Sequence, residues 1–520
     1  MSEPADLPPA EVDRRPAVRW WPAVIILAAG FIAFAILWFA PRVSQQQFNI
    51  QVAQILLCLL AALLLWLLLG SRMRWKIRLS ILGGIILAIG AVAGLFRVRG
   101  VTGNLVPILE PRWASRMLTA PLPASLANMA PRVSGAADFP QFLGPNRNGI
   151  LGGPRLTTNW TERAPALLWR QPVGAAWSGF VVSGSMAITQ EQRGEEELTI
   201  CYDLLTGKVI WSHAETARYF TALAGEGPRA TPSIKDAKVF VQGATGLLSC
   251  LDLGTGRTIW SKDVLQLNEA GVPSWGQSGS PLVLEGLVVV GAGGSNERSM
   301  VAYQATDGSQ AWSGGSEGNT YSSPLVATLD GVRQILIFSG SLVGHDAGSG
   351  KELWRFPWPG GHPHVAMPLI ASGTDVIISS GYGTGSGRVR IQRDASGNWT
   401  AKAVWRGNRL KAKFTNPVLH RSHVYGLDDG ILACLDAETG ELKWKDGRYG
   451  HGQTLIVGDL LLVMAENGDV VLIDPQPDQL RELSRFTALV GKTWNPPALA
   501  GEYLLVRNDK EAACYRLPTN

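Results

Sequence analysis

Cationic, aromatic and amide side chains recur at intervals of about 40 to 50 residues between positions 177 and 496, usually just before a Pro. Eight segments follow this pattern: 177–178, 229–232, 277–281, 321–324, 364–368, 413–417, 451–454 and 492–496. Their candidate ligand-binding residues are Arg229, Tyr321, Lys413, Asn416, His451, Lys492, Trp494 and Asn495. The eight segments contain no Asp or Glu. If they meet at one place, they could bind a planar anion, because cations attract carboxylates and aromatic rings stack. Polar residues would equally line any water-filled channel, with Ser, Thr and Asn capping strand starts, and we favour this interpretation.

The sequence assigns no catalytic residue and no metal site. His362 and His364 have the spacing of a metal-binding pair, but Pro363 separates them in a Gly-Gly-His-Pro-His turn. No carboxylate or third His stands at a suitable spacing, so we interpret the pair as a turn. Calcium requires several oxygen ligands, including carboxylates, and near the candidate residues only Glu317 and Asn319 offer them. No G-x-S-x-G motif supports a serine nucleophile.

The five cysteines do not predict disulfides. Cys201, Cys250 and Cys434 each precede a turn Thr by five residues, and Ala302 and Gly344 occupy the same position in other copies of that pattern. A position that accepts Cys, Ala or Gly is a tight packing site, and a free Cys packs as a small hydrophobic residue. We therefore expect packing rather than redox chemistry.

The elements that must position these residues are read from the stretch 434–444. It begins as a strand, turns through Asp436 to Gly440 and leaves as a second strand ending at Trp444. Gly440 supplies the positive φ of the turn. Such a turn followed by Gly-x-x-x-Trp occurs five times, ending at Trp211, Trp260, Trp312, Trp354 and Trp444, and Trp169, Trp405 and Leu483 stand at the same phase without it.

A period of about 40 to 50 residues with several short strands per repeat is typical of propeller blades. The eight phases predict an all-β, eight-bladed β-propeller. The last repeat lacks an outgoing Trp strand, whereas the stretch 165–170 is an isolated strand that carries Trp169. We expect that this N-terminal strand completes the last blade and leaves no free sheet edge.

The repeat resembles the tryptophan-docking motif of quinoprotein-type eight-bladed propellers, and the resemblance covers residues 138–520. The opening stretch Asp-Phe-Pro-Gln-Phe-Leu-Gly-Pro-Asn-Arg at 138–147 looks like that of membrane-linked bacterial proteins with PQQ-like repeats. That superfamily includes dehydrogenases that use pyrroloquinoline quinone (PQQ) and the outer-membrane assembly protein BamB. The motif is specific for the fold but not for the function.

Two functions follow from the resemblance. One is a non-catalytic, BamB-like interaction scaffold of the cell envelope that binds a protein or peptide. The alternative is a dehydrogenase that holds PQQ with Ca²⁺ in the axial funnel, oxidises an alcohol or sugar and passes electrons to membrane quinone. The adjacent Cys-Cys pair of the PQQ alcohol dehydrogenases is missing, although the membrane-anchored glucose dehydrogenases also lack it. The segments also lack an Asp base, and we favour the scaffold.

Three uncharged apolar runs precede the repeats, between Arg19 and Arg42, between Arg42 and Arg72, and from Leu79 to Phe96. Each approaches the ~20 residues of a membrane-spanning helix. We expect a cytoplasmic N-terminus at 1–18, a three-helix anchor at 19–99, a Pro- and Ala-rich linker at 100–137 and the propeller at 138–520. Arginine and lysine in the loop 71–78 place that loop in the cytoplasm and the propeller in the periplasm. The small net charge of +5 argues against a nucleic-acid partner.

Overall fold

The computed structural model of the protein describes residues 18–40, 44–114, 138–361 and 363–520. Residues 1–17 of the predicted cytoplasmic N-terminus, residues 115–137 of the predicted linker, and His362 lie outside the described residues. The described chain forms two compact units, one containing the long helices and the other containing the propeller together with Gly100–Gly103.

Three helices in the first unit are long and apolar enough to cross a membrane by their length and composition: Trp21–Phe39, Gln45–Gly70 and Trp75–Leu95. The second ends in a π-helical turn at Trp66–Gly70. Almost all of their side chains are uncovered by protein, as hydrocarbon-facing side chains would be. Within the predicted linker, Pro107–Pro111 pairs with Phe96–Val101 as a two-stranded sheet, and Arg97 binds Glu110 at 2.8 Å.

The predicted eight-bladed propeller is confirmed: in the described residues, eight antiparallel four-stranded meanders follow one another. Blades 1 to 4 are Val181–Ser183, Met186–Arg193, Glu196–Asp203, Val209–Thr216; Ser233–Lys235, Lys238–Gln242, Leu247–Asp252, Thr258–Asp263; Leu282–Leu284, Leu287–Gly291, Met300–Gln304, Gln310–Gly314; and Leu325–Leu329, Val332–Phe338, Ser341–Asp346, Glu352–Pro357. Blades 5 to 8 are Leu369–Ile370, Asp375–Ser380, Gly385–Arg393, Trp399–Gly407; Val418–His420, His423–Asp428, Ile431–Asp436, Leu442–Arg448; Gln453–Val457, Leu460–Met464, Asp469–Asp474, Arg481–Thr487; and Ala498–Ala500, Tyr503–Arg507, Glu511–Arg516, Ala166–Pro172.

Blade 8 closes the ring as predicted. Its outermost strand is the N-terminal Ala166–Pro172, which pairs antiparallel with the C-terminal Glu511–Arg516. Trp169 lies opposite Cys514, as the repeat pattern requires. Because the two ends of the propeller sequence share one sheet, the ring is held shut by a full strand ladder.

Tryptophans dock most of the blades onto the next. The ring of Trp405 in blade 5 lies over Gly440 in blade 6, where a Cβ would come within 2.6 Å of the indole. Trp405 Nε1 also donates to the carbonyl of Ala437 in the same turn, at 3.2 Å. Four further Trp–Gly pairs repeat this contact: Trp169–Gly207, Trp211–Gly256, Trp260–Gly308 and Trp312–Gly350. The turn glycine therefore serves both the positive φ of 73° at Gly440 and the close approach of the neighbouring blade.

The cysteine positions are packing sites, as expected. Cys201, Cys250 and Cys434 are buried and lie directly across the strand pair from Trp211, Trp260 and Trp444. A small side chain is needed there because the indole covers it, and burial raises the pKa of the Cys434 thiol to about 11.

One end of the central channel is covered by residues 138–151, which we call the plug. Phe139 exchanges backbone hydrogen bonds with Val182 at the end of the inner strand of blade 1, and Ile150–Leu151 pairs with Ile456–Val457 at the end of that of blade 7. Arg147, buried between them, donates to the carbonyls of Ser280 and Pro281 of blade 3, both at 2.9 Å. Since blades 1, 3 and 7 stand on different sides of the ring, the plug crosses the axis. Its Phe139, Leu143 and Leu151 join the apolar core.

Two additional short elements lie in the connections between blades. Phe220–Thr221 and Gly225–Glu226 form a small hairpin between blades 1 and 2, and Val264–Leu267 is a single helical turn after blade 2.

Candidate functional site

The opposite end of the channel, where the inner strands begin, is lined by aromatic rings and charges. We call this cluster the aromatic mouth: Trp177, Phe414, His451, Glu466, Lys492 and Trp494. The Trp494 ring packs against Trp177 at 4.9 Å and against Phe414 at 4.6 Å between centroids, and Phe414 packs against His451 at 5.2 Å. The rings therefore form a continuous chain from blade 1 through blades 8 and 6 to blade 7.

Lys492 lies over two of these rings. Its Nζ is 4.5 Å from the Trp177 centroid and 4.0 Å from that of Trp494. An ammonium over a Trp face is attracted by the ring quadrupole, which fixes the cation in the mouth. The same Nζ donates to the carbonyl of Val101 at 3.1 Å.

Glu466 is the polar centre of the mouth. Its Oε1 accepts from Trp494 Nε1 at 2.9 Å and from the Gly103 N–H at 2.8 Å, and its Oε2 accepts from the His451 N–H at 2.9 Å. Burial opposes ionisation, but these backbone N–H groups outweigh it and hold the pKa of Glu466 below its ordinary value. The carboxylate therefore stays charged and engaged.

His451 is fully buried and neutral at physiological pH. Burial lowers its pKa well below the ordinary value, and the nearby charge of Lys413 adds to the effect. Lys413, itself buried, faces Asp429 with 3.5 Å between Nζ and Oδ1, and its ammonium lies 5.6 Å from the Tyr382 ring centroid. Burial lowers the pKa of Lys413, whereas Asp429 opposes the shift.

Four of the predicted ligand-binding residues are thus brought together: Lys413, His451, Lys492 and Trp494. Arg229 and Tyr321 lie further round the ring, at blades 2 and 4. Arg229 stacks on Tyr219 at 4.3 Å and donates to the carbonyls of Ala224 and Gly225 at 3.0 Å. Trp177 Nε1 donates to the same Ala224 carbonyl at 2.6 Å, which joins this group to the mouth.

Asn416 and Asn495 lie below the mouth, where their amides link blades. Asn416 Oδ1 accepts from the Met367 N–H at 2.9 Å. Asn495 Nδ2 donates to the carbonyls of Ala176 and Ser178 at 3.0 and 2.8 Å. Similar links follow around the ring, from Gly179 N–H to Thr231 Oγ1, from Thr231 N–H to Ser280 Oγ and from Ser280 N–H to Ser323 Oγ. These polar side chains satisfy strand starts, which is the structural role that the sequence also allowed.

The side chains of the mouth do not fit a calcium-assisted PQQ site. Within the described ranges, no cluster of three or more His, Cys, Asp or Glu side chains could hold a metal ion. Glu466 has donors on both oxygens, and Glu317, the predicted oxygen donor, is paired with Arg355. A calcium ion would have to be bound by several carboxylate oxygens that are not already paired with hydrogen-bond donors of the protein.

Sequence reasoning missed the carboxylates of the mouth because it considered only the segments before the inner strands. Glu466 and Asp429 stand instead in the turns between the second and third strands of blades 7 and 6. In an antiparallel meander that turn returns to the end where the first strand begins. The Glu-Asn-Gly-Asp stretch at 466–469 and the Asp-Asp-Gly stretch at 428–430 were the signals that could have placed the acids there.

A family model described as outer membrane protein assembly factor BamB matches residues 161–265 and 194–446, which together span more than half of the chain. The chain belongs to this BamB family of PQQ-like propellers. No curated protein matches it by sequence search.

Solved structures show the same fold at low identity. BamB from Moraxella catarrhalis is 13% identical with a TM-score of 0.50, and the match covers 68% of this chain and all of that one. Quinohemoprotein alcohol dehydrogenase from Comamonas testosteroni is 12% identical with a TM-score of 0.53, covering 74% and 82%. A quinohemoprotein alcohol dehydrogenase from Pseudomonas putida HK5 is 13% identical with a TM-score of 0.51, covering 74% and 81%. BamB and two alcohol dehydrogenases therefore share this fold with the chain, so the fold alone does not identify a function.

Proposed function

We propose that the protein is a membrane-anchored interaction scaffold of the cell envelope, whose propeller binds a protein partner at the aromatic mouth. The observation that carries the proposal is the state of Glu466, which accepts three hydrogen bonds from protein donors. A carboxylate held in this way can orient a partner's polar groups, but it is a poor base and a poor calcium ligand. Membership of a family named for an assembly factor agrees with this role.

The mouth has the composition of a protein-binding centre. Buried aromatic rings and a cation held over them are the residue types that dominate binding energy at protein interfaces. Four rings form a chain in which each contacts the next, and Lys492 is fixed over two of them. A rigid aromatic surface of this kind can bind a partner without first ordering its own side chains.

We further propose that the three apolar helices span the inner membrane with the N-terminus in the cytoplasm and the propeller in the periplasm. The Arg- and Lys-rich loop at 71–78 supports this orientation through the positive-inside rule. In a Cys58→Ser background, Asn520→Cys should react with an impermeant maleimide in spheroplasts, whereas Ser2→Cys should react only after permeabilisation. Equal labelling of both positions in intact spheroplasts would contradict the orientation.

Site-specific crosslinking tests the scaffold role. A photoreactive phenylalanine in place of Val490, which is 72% exposed and stands two residues before Lys492, should crosslink in cells to a discrete envelope protein, identified by mass spectrometry. The same group at Ile259, on the outermost strand of blade 2 and 42% exposed, is the control and should not produce that product. Equal products from both positions would show that the mouth is not the binding surface.

The dehydrogenase alternative is tested on the same purified protein. Basic and aromatic residues at the mouth favour a planar anion, so PQQ and Ca²⁺ are added to the chain in nanodiscs. We expect no bound-cofactor spectrum and no dye reduction with alcohols or sugars. A cofactor spectrum with substrate-dependent dye reduction would overturn the scaffold proposal.

A further inference from the structure

A short piece of the chain's own backbone occupies the aromatic mouth. Residues Gly100–Gly103, which belong to the propeller unit and which we call the strap, lie against Lys492, Glu466 and His451. Gly100, Val101 and Gly103 are buried. The strap is separated from these three mouth residues by more than 340 positions in the sequence, so the contact is not a consequence of local chain connectivity.

The mouth contacts the strap through its backbone. Lys492 Nζ donates to the Val101 carbonyl at 3.1 Å, and Glu466 Oε1 accepts from the Gly103 N–H at 2.8 Å. Val101 is the last residue of the strand Phe96–Val101, and Gly103 begins a turn. The mouth therefore contacts a carbonyl and an N–H two residues apart, at the point where an extended segment turns.

One position of the strap requires glycine. A Cβ at Gly103 would overlap the ring of His451, so the mouth admits only Gly there unless His451 moves. His451 is fully buried and packed on Phe414, which restricts such a movement. At Gly100, by contrast, a Cβ would meet its nearest neighbours at 3.6 Å, an ordinary contact. The mouth thus combines two backbone contacts with a glycine requirement two residues after the bound carbonyl.

We propose that the aromatic mouth is a binding site for a polypeptide segment of the form X-X-Gly that turns at its Gly, and that the strap occupies it in cis until a partner segment displaces it. This inference rests on the proposed scaffold role and names the chemistry of the partner. Short backbone-directed contacts suit exchange, because the partner can reproduce both hydrogen bonds with its own main chain.

The cis strap sets a threshold for the partner. A tethered segment acts at an effective concentration in the millimolar range, so a free peptide must compete with it. For a peptide with an intrinsic Kd near 100 µM, this competition weakens apparent binding about tenfold. Removing the strap from the mouth should therefore strengthen binding by about that factor.

The test uses the full chain in nanodiscs and a fluorescent, end-blocked peptide of the sequence Gly-Val-Thr-Gly-Asn, followed by fluorescence anisotropy. Gly103→Val should expel the strap and tighten peptide binding about tenfold relative to the unmodified chain. Gly152→Val is the matched control, because a Cβ there meets nothing within 4 Å, and its binding should equal that of the unmodified chain. A peptide carrying Val in place of its second Gly should not bind the opened protein.

Further variants separate binding from folding. In the Gly103→Val background, Lys492→Met should abolish peptide binding while retaining the apolar stem, and Lys492→Arg should restore most of it. If the opened protein binds neither peptide, the strap is a fixed tether and the inference fails, although crosslinking from position 490 could still support the scaffold. If the opened protein binds both peptides equally, recognition of glycine is wrong. Peptide binding without any crosslinked envelope protein would instead remove the proposed cellular role and leave this site standing.

Discussion

The two ends of the propeller channel are both covered by segments that precede the blades in sequence, but the chemistry of the two covers differs. The plug buries Phe139, Leu143 and Leu151 in the apolar core and adds strand pairing and the buried Arg147. The strap contributes small residues and backbone hydrogen bonds to Lys492 and Glu466. Apolar burial scales with the area removed from water, whereas a hydrogen bond is exchanged for one with water on release.

Because of this difference, the plug is part of the fold, whereas the strap can be exchanged. Releasing the plug would expose apolar side chains from inside the ring and leave the carbonyls of Ser280 and Pro281 without their donor. Releasing the strap would expose a mouth whose charged groups water can solvate. Because the plug closes one end of the channel, the aromatic mouth is the end at which a partner can bind.

The largest expected effect is at the plug. Phe139 is 1% exposed, and Phe139→Ala should lower the free energy of unfolding by about 3–5 kcal/mol, as other buried Phe truncations do. Urea denaturation followed by Trp fluorescence measures it. Phe220→Ala, at a Phe that is 53% exposed, is the control and should change stability by less than about 0.5 kcal/mol. Equal losses from both substitutions would show that the plug is not a structural part of the ring.

The second-largest effect is expected at an ionisable side chain of the mouth end, which contains more charged groups than the plug. Glu197, near Arg229, is 6% exposed and accepts from the Ala244 N–H, and burial raises its pKa to about 7. Because the folded state holds this proton more tightly than the unfolded state, its stabilising contribution is full below about pH 4.5 and is lost as the pH rises through 7. The loss amounts to roughly 3 kcal/mol from a shift of this size.

Glu197→Gln should remove this pH dependence, since a neutral amide can still accept from Ala244. The variant should match the unmodified chain near pH 4.5 and exceed it in unfolding free energy by about 3 kcal/mol near pH 8. Glu195→Gln, at a carboxylate that is 74% exposed, should leave the pH profile unchanged. A Glu197→Gln profile parallel to that of the unmodified chain would show that this carboxyl is ionised in the fold throughout.

The ring itself was predictable from sequence because its rules are local and repeated. The Asp-x-x-Thr-Gly turn and its Trp define a blade wherever they occur, and the lone strand around Trp169 could be assigned to blade 8 by counting strands. The pattern fails where a blade departs from it. Blade 5 lacks the Asp-x-x-Thr-Gly turn. Trp354 of blade 4 donates to Gln334 Oε1 of its own blade, at 2.6 Å, and not to a turn carbonyl of the next blade.

The mouth and the covers at the two ends of the channel were less predictable, for physical reasons. Lys413, His451, Lys492 and Trp494 could be grouped because they share one phase of the repeat. Glu466 stands in a different turn, so its approach to Trp494 depends on the meander and not on sequence spacing. The plug and the strap carry no periodicity, and their contacts join residues from distant parts of the chain, which no local pattern specifies.

The smallest expected effect is at the strap, and it decides whether the comparison holds. Gly103→Val should lower the free energy of unfolding by only about 1 kcal/mol, the net value of a typical hydrogen bond, because water solvates Lys492 and Glu466 once the strap leaves. Hydrogen exchange gives an independent measurement on the unmodified chain. The amides of the strap should exchange through local opening, whereas those of Phe139 and Val182 should exchange only with global unfolding of the ring. A stability loss from Gly103→Val as large as that from Phe139→Ala, or equal protection at both ends, would make the strap a second plug and leave no exchangeable mouth.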